Sequence, residues 1–403
     1  MENSVPTGGK GSLSSILSLG RLQRRPELDA LRGLFLVWMT LTHLPTRLSD
    51  LVNQPFGFVS SAEGFVFLSA LLVARLYLQQ AAQDETALKT KLWKRALRVY
   101  GYHLVLLSLA FTIAASFAVA RHNLALTNLL NFYLAHPLTA ILGSLLLIYC
   151  PPLLDILPMY VIFLLLTPYL LSIAARRGWR GILLTSGFVW LLAQFGLRVW
   201  VHDAVVHLTG LQIPLQETGA FNLFAWQLVW VAGMAIGGAS TQGSLFFARL
   251  PRFVYPASAV VCLFFLGVRH DWFGALNQQA MLPLLDKWQI GPLRILNLFE
   301  FSCLIYWSRG LVKRLVMVEP FLTLGKASLE VFCAHLVFVF VGLALLYGEV
   351  SQLHGLYAGG LVIMTFAGLI VVATREVRRK QIDNRQKTSE EPLNQPSLRR
   401  MGS

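Results

Sequence analysis

Apolar runs of about 18 to 22 residues follow one another along most of the chain, separated by short polar or charged stretches. Each run is long enough for a helix to cross the hydrocarbon core of a bilayer. The pattern therefore predicts an all-α polytopic membrane protein with about ten transmembrane helices. The predicted spans cover residues 28–47, 57–78, 97–119, 153–173, 181–200, 222–240, 253–269, 291–308, 321–347 and 356–373.

The apolar run at residues 136–150 is shorter and is bounded by prolines. A run of fewer than about 17 residues is typical of a re-entrant or interfacial segment. If this run does not cross the membrane, the lysines and arginines of the loops fall on one side of the bilayer, the side of both termini. The positive-inside rule then places both termini in the cytoplasm.

The two ends of the chain differ from its middle. Residues 1–24 are rich in glycine and serine and lack a signal-peptide cleavage pattern, so they are predicted to be a polar cytoplasmic lead. Residues 25–373 form a single predicted membrane domain. Residues 374–403 are basic and polar, and are predicted to be a disordered cytoplasmic tail.

Composition supports a membrane protein and removes other classes. Hydrophobic residues make up 55% of the chain and charged residues 13%, whereas soluble domains contain roughly 25% charged residues. The net charge of +14 does not indicate nucleic acid, because the basic residues cluster in short loops. The four cysteines lie in or beside apolar runs without short paired spacings, so neither a disulfide framework nor a metal site is expected.

Polar residues lie along one face of the first predicted span and form what is called the polar seam. Arg32 and His43 are eleven residues apart, so on a helix they lie within about 20° of one line and about 16 Å apart along the axis. Asp29 and Thr40 fall near the same line. Ionisable groups inside a span are energetically costly, so each one indicates a functional site.

The deepest ionisable groups are His43, Glu63 and His335. Glu63 opens the second span, and the short loop between the first two spans makes those helices neighbours. A carboxylate beside an imidazole can orient the ring while the free nitrogen accepts a proton from a hydroxyl, as a general base does. The alternative is a buried His43–Glu63 pair that only holds two helices together.

Basic residues gather at the inner end of the seam. Arg32 lies deep enough to need a partner, which Asp29 or a phosphate could provide. Lys94, Arg95 and Arg98 lie within about one helical turn before the third span. These residues fit the phosphates of an anionic cofactor that arrives from the cytoplasm, although such clusters are also ordinary topology signals.

The segments predicted to face outward mix polar residues with tryptophan. Tryptophan faces can stack on sugar rings, so these segments could bind a glycan; the alternative is an aromatic belt at the membrane interface. The segments are residues 120–135, 201–221 and 270–290.

Several motifs together resemble a known family. Arg32, ten residues and His43 match the R-x10-H signature of the membrane acyltransferase 3 superfamily, and the preceding RPELDALRG, residues 25–33, matches its approach. Residues 94–100, KRALRVY, are similar to its basic–aromatic element. Four further stretches, in the same order along the chain, resemble the OpgC branch: residues 60–70, 154–168, 221–234 and 324–339.

The resemblance implies an integral O-acyltransferase of the bacterial cytoplasmic (inner) membrane. Such enzymes move an acyl group, succinyl in OpgC proteins, from cytoplasmic acyl-CoA to a hydroxyl of a periplasmic glucan. Carried onto this chain, His43 is the general base, Glu63 orients it and Arg32 supports the donor. Lys94, Arg95 and Arg98 face the coenzyme A phosphates, while Trp226 and His335 lie in matching motifs and are assigned to acceptor binding. The partners implied are acyl-CoA, an oligosaccharide or glucan and the lipid bilayer, with no nucleic acid and no metal.

Three other classes remain open at the level of sequence. A transporter or flippase would also need a polar seam, but its usual broken helices and internal repeats are not evident here. A b-type haem protein would use His43 with His103 or His335 as axial ligands. A purely structural protein would not need ionisable groups at costly positions. The sequence also leaves open direct transfer or an acyl-enzyme on Ser69 or His43, and the oligomeric state.

Overall fold

A computed structural model describes residues 25–241, 246–274, 278–348 and 350–390, and the predicted lead 1–24 lies outside these ranges. Within them the regular secondary structure is helical, as predicted, apart from a single bridge between Thr46 and Leu353. The helices are α1 Pro26–His43, α2 Leu48–Val52, α3 Ser61–Gln83, α4 Glu85–Arg121, α5 Leu124–Leu129, α6 Asn131–Ala135, α7 Pro137–Leu145, α8 Ile156–Arg177, α9 Arg180–Gln194, α10 Leu197–Thr209, α11 Leu223–Thr241, α12 Val254–Arg269, α13 Gln278–Leu285, α14 Pro292–Trp307, α15 Arg309–Val316, α16 Glu319–Lys326, α17 Ser328–Ala344 and α18 Gly355–Glu390.

Fewer helices qualify as membrane spans than the sequence predicts. Among the described residues, five helices are long and apolar enough to cross a membrane, or seven if each of two bent pairs forms one span. The predicted ten spans are therefore not confirmed. Helix α1 carries three charged residues within its 18 residues, and α12 and α14 have only 16 residues each. A 16-residue helix is about 24 Å long, shorter than the hydrocarbon core.

Two predicted spans are bent at a break. Helices α9 and α10 meet at 81°, and α16 and α17 meet at 99°. Gly196, at φ 89°, lies at the first break, and glycine adopts this left-handed conformation without the usual steric cost. Neither break is visible in the sequence, because a hydropathy pattern passes through a bend unchanged.

The segment at residues 136–150 is a short helix rather than a span. Helix α7 has nine residues, so it is about 13.5 Å long and cannot cross a bilayer by itself. Leu147, after the helix, has a positive φ of 59°, which turns the chain back.

The predicted disorder of the tail is wrong as far as Glu390, and residues 391–403 lie outside the described part of the chain. Helix α18 continues from its apolar half through residues 374–390. Lys380 approaches Glu376 at 3.3 Å, one turn away, and Glu330 of α17 at 3.7 Å. Helix-forming residues and these ion pairs extend a helix that composition alone marks as polar.

Close backbone contacts set the positions of α1 and α3. A side chain at Gly33 of α1 would overlap the backbone of Phe321, and one at Gly325 of α16 would overlap Asp29. Gly233 and Gly237 of α11 meet α3 in the same way. Small residues four apart let membrane helices approach closely. As a result, α1 lies fixed between α3 and the bent α16–α17 pair.

We expect Gly33→Ala to destabilise the protein by about 1–3 kcal/mol, because the added methyl group forces α1 away from α16. Gly101→Ala is the matched control, since a methyl group there meets nothing within 4 Å. Thermal unfolding of the detergent-solubilised variants measures both. Equal midpoints for the two variants would contradict the close contact between α1 and α16.

Candidate active site

The seam histidine pairs with a second histidine from far along the chain. His43 is the last residue of α1, and its Nδ1 lies 3.2 Å from Nε2 of His335 on α17. The two rings are nearly parallel, 17° apart, with centroids 5.5 Å apart. His335 is fully buried, whereas His43 keeps part of its surface exposed.

The hydrogen bonds around this pair define which nitrogen is free. Nδ1 of His335 faces the backbone oxygen of Phe332, so it must donate. A buried imidazolium without a carboxylate partner is costly, so His335 is neutral and its Nε2 accepts. The proton between the rings therefore sits on Nδ1 of His43, which leaves Nε2 of His43 as the unprotonated nitrogen. This is the arrangement of an oriented general base.

Glu63 is not the partner of His43, which corrects the prediction. Its carboxylate forms a buried ion pair with Nε of Arg294 on α14 and accepts from the backbone and hydroxyl of Ser60. The Ser60–Glu63 pair is a capping box at the start of α3. The carboxylate is held by a cation and a helix cap, and the side chain that contacts His43 is His335. The predicted contact of His335 with the acceptor stays a prediction.

Sequence reasoning missed Arg294. It lies inside the predicted span 291–308 and is only 2% exposed. The same principle that marked Glu63, the cost of an ionisable group in a span, would have marked it. Arg294 lines a polar cavity of about 730 Å³ together with Lys287, Trp288, Asp286 and Gln194.

Arg32 lies in a narrow cleft at the other end of the seam. It is 9% exposed, its guanidinium donates to the hydroxyl of Ser328, and it lies 5.6 Å from the ring centroid of Phe65. Arg95 of α4 lines the same cleft and donates to the hydroxyl of Tyr160 at 3.2 Å. Phe332, whose carbonyl oxygen holds His335, also lines it. Arg32 and His43 thus lie on one face of α1, where Arg95 of α4 lines the cleft beside Arg32 and His335 of α17 bonds His43.

The predicted basic cluster is divided by the helix that carries it. Arg95 points into the cleft, but Lys94 and Arg98 are exposed on the outer side of α4. Lys94 and Arg98 are four residues apart and so share a face, whereas Arg95 is turned about 100° from Lys94. Of the three predicted phosphate ligands, only Arg95 lies beside Arg32.

Trp226 lies inside the protein rather than at an open surface, and its predicted contact with the acceptor stays a prediction. It is fully buried, and its ring packs edge-on against Phe221 with centroids 4.7 Å apart. Phe221 also packs edge-on against Trp288, at 5.3 Å. Trp288 is 40% exposed and lines the polar cavity, so Trp226 supports an exposed tryptophan through Phe221.

Two earlier alternatives lose support from the geometry. Ser69 is fully buried and its hydroxyl has no hydrogen-bond partner among the described residues, so a base to activate it as a nucleophile is absent there. His43 and His335 hydrogen-bond to each other at 3.2 Å, which leaves no space between them for a haem iron and its ring; this removes the His43–His335 form of the haem alternative, not the form with His103.

A second large cavity lies on a neighbouring face of α1. It has a volume of about 1110 Å³ and is mostly apolar. Leu28, Leu31 and Phe35 line it, about 80° around the helix from Arg32 and His43. Its wall carries four cations, Arg25, Arg75, Arg309 and Lys313.

Comparison with known proteins agrees with this scaffold. Neither a curated protein nor a solved structure gives a match to the chain. A family model described as OpgC protein matches residues 24–381, nearly the whole chain. That range includes α1, the His43–His335 pair and both cavities. The chain belongs to the OpgC family.

Proposed function

We propose that the protein is an integral membrane O-acyltransferase. It moves a succinyl group from cytoplasmic succinyl-CoA to a hydroxyl of a periplasmic glucan. The observation that carries the proposal is the His43–His335 pair, on the same face of α1 as Arg32. Family membership supports a glucan succinyltransferase-like role. The apolar helices support a membrane location, here the inner membrane, and the loop charges support cytoplasmic termini.

The chemistry needs one base and one path for a proton. Nε2 of His43 accepts the proton of the sugar hydroxyl while the hydroxyl oxygen attacks the carbonyl carbon of the thioester. The carbon–sulfur bond breaks, an ester forms, and the imidazolium returns its proton to the departing thiolate, which leaves as free coenzyme A. His335 keeps the ring of His43 oriented by the bond to its Nδ1. Direct transfer of this kind uses no residue other than His43 as a proton carrier.

Arg32 and Arg95 are proposed to hold the donor. Both line the cleft that reaches Phe332 beside the histidine pair, and guanidinium groups form strong paired hydrogen bonds with phosphate oxygens. The donor therefore enters from the Arg95 end, with its thioester toward His43. No metal is required by this scheme.

We expect Arg95→Gln to raise the donor KM by about 10-fold, the loss of roughly one charge-assisted hydrogen bond. Lys94→Gln is the matched control on the same helix, and should leave the donor KM unchanged because Lys94 is exposed away from the cleft. Initial rates at varied acyl-CoA measure both. If Arg309→Gln raised the KM and Arg95→Gln did not, the donor would enter through the large apolar cavity instead.

The polar cavity is proposed to receive the acceptor. Trp288 offers an exposed aromatic ring, and Gln194 and Asp286 offer hydrogen-bonding groups in the same wall. Sugars combine an apolar ring face with polar edges, which these groups match. Lys287 lies 4.7 Å over the Trp288 ring and covers one of its faces, so a sugar would stack on the other.

A transporter or flippase is the second candidate, favoured by the two bent helix pairs. Broken helices mark substrate sites in many transporters. In this chain the α16–α17 bend has another use, since it brings Ser328 to Arg32 and starts the helix of His335.

Mass spectrometry of periplasmic glucans from cells with and without the gene tests the proposed function. We expect acylated glucans only when the gene is present, with a mass difference that identifies the acyl group. Unmodified glucans of equal abundance in both strains would contradict acyl transfer. Loss of the glucans from the periplasm without the gene would favour the transporter.

A further inference from the structure

One nitrogen of the Arg294 guanidinium group makes no hydrogen bond among the described residues. Its Nε pairs with Glu63, and its Nη1 donates to the backbone oxygen of Leu285 at 3.2 Å. Nη2 is buried and has no hydrogen-bond partner among the described residues. The side chain is 2% exposed and lines the polar cavity of about 730 Å³.

A buried cation with an N–H group that makes no hydrogen bond is energetically costly, so this group indicates a ligand that accepts its hydrogen bond. Nη2 of a guanidinium prefers an anionic oxygen, and planar carboxylates suit it best. Glu63 already occupies the Nε side, so a second carboxylate would bind from the cavity side at Nη2.

Lys287 supplies a second cation in the same wall. It lines the cavity beside Arg294, and its charge interacts with Glu63 and His43. Burial lowers the pKa of Lys287 from its ordinary value, and Glu63 and Asp155 partly oppose that change. A bound carboxylate would act in the same direction as those two acids and keep Lys287 charged.

The acids of the cavity wall are engaged elsewhere. Asp286 accepts from the backbone N–H of Gln289 at 2.7 Å, and Asp271 has an interaction partner of its own. Neither acid bonds to Nη2 of Arg294, which has no hydrogen-bond partner within the described part of the chain.

We propose that Arg294 and Lys287 form a subsite for the free carboxylate of the acyl group, so that the enzyme selects dicarboxylic acyl donors. This inference rests on the proposed acyl transfer at His43. Lys287 is near enough to His43 for their charges to interact. A thioester at His43 with a carboxylate two methylene groups further on would therefore extend toward the Lys287 side of the site. An acyl chain of the same length without a carboxylate would leave both cations unmatched.

Initial rates of purified protein with succinyl-CoA and butyryl-CoA, donors with acyl chains of equal length, test the subsite. We expect wild type to prefer succinyl-CoA in kcat/KM. Lys287→Gln and Arg294→Lys should each reduce kcat/KM for succinyl-CoA by about 10- to 100-fold, because each loses one hydrogen bond to a charged group. The kcat/KM for butyryl-CoA should stay nearly unchanged in both variants. Arg269→Gln, a cation of the same cavity wall that lies outside the subsite, is the control and should keep the preference.

Retention of the succinyl preference in Lys287→Gln would overturn the subsite, and this variant decides the matter if Arg294→Lys fails to fold. An equal loss of preference in Arg269→Gln would also overturn it, since the cavity would then attract anions only in general. Wild-type protein that transfers neither acyl group would instead refute the proposed function.

Discussion

Replacing Glu63 by leucine is expected to destabilise the protein by about 3–5 kcal/mol, because it leaves Arg294 buried without its counter-ion. Glu63 is fully buried and Arg294 nearly so, so the remaining charge keeps little contact with water. The change also removes the capping box at Ser60, which adds about 1 kcal/mol. Thermal unfolding in detergent and the yield of inserted protein measure the loss.

The double variant Glu63→Leu with Arg294→Met separates charge from packing. Removing both charges should restore most of the lost stability, since an apolar pair of similar volume often replaces a buried ion pair without cost. Wild-type stability in the single variant would show that Arg294 does not depend on Glu63. The double variant should also lack any preference for a dicarboxylic donor, because it lacks the guanidinium.

His43→Gln should lower kcat for acyl transfer by about 10²- to 10⁴-fold with little change in either KM, the effect of removing a general base. Glutamine can keep a hydrogen bond to His335 but cannot take the hydroxyl proton. His335→Asn should lower kcat less than His43→Gln does, because it makes the ring of His43 less well oriented but leaves the base in place. His207→Gln, an exposed histidine of α10, is the control and should behave like wild type. A folded His43→Gln enzyme with normal kcat would exclude His43 as the base.

The helical period explains why half of the site could be predicted. Arg32 and His43 lie on one helix, so their common face follows from their spacing alone. The partner of His43 lies 292 residues away and the partner of Glu63 lies 231 residues away. Such pairings depend on how helices pack, and local pattern does not contain that information. Glu63 is the ionisable group of the neighbouring span and was therefore predicted as the partner of His43, but the packing of the helices pairs His43 with His335 and Glu63 with Arg294.

Hydropathy predicted the apolar segments better than their geometry. It identified apolar segments that overlap α3, α8 and α11 but could not detect the 99° bend between α16 and α17. Close to that bend, Gly325 meets the backbone of Asp29, a contact between distant segments. The continuation of α18 past residue 373 likewise depends on ion pairs that a polar composition does not reveal.

The most direct measurement is acyl transfer by purified wild-type protein in sealed proteoliposomes, with acyl-CoA on one side and glucan on the other. Acylated glucan and free coenzyme A should appear in equal amounts, and only when the donor faces the side that carries Arg95. Coenzyme A release without acylated glucan, or glucan crossing the membrane unmodified, would contradict an acyltransferase built around His43.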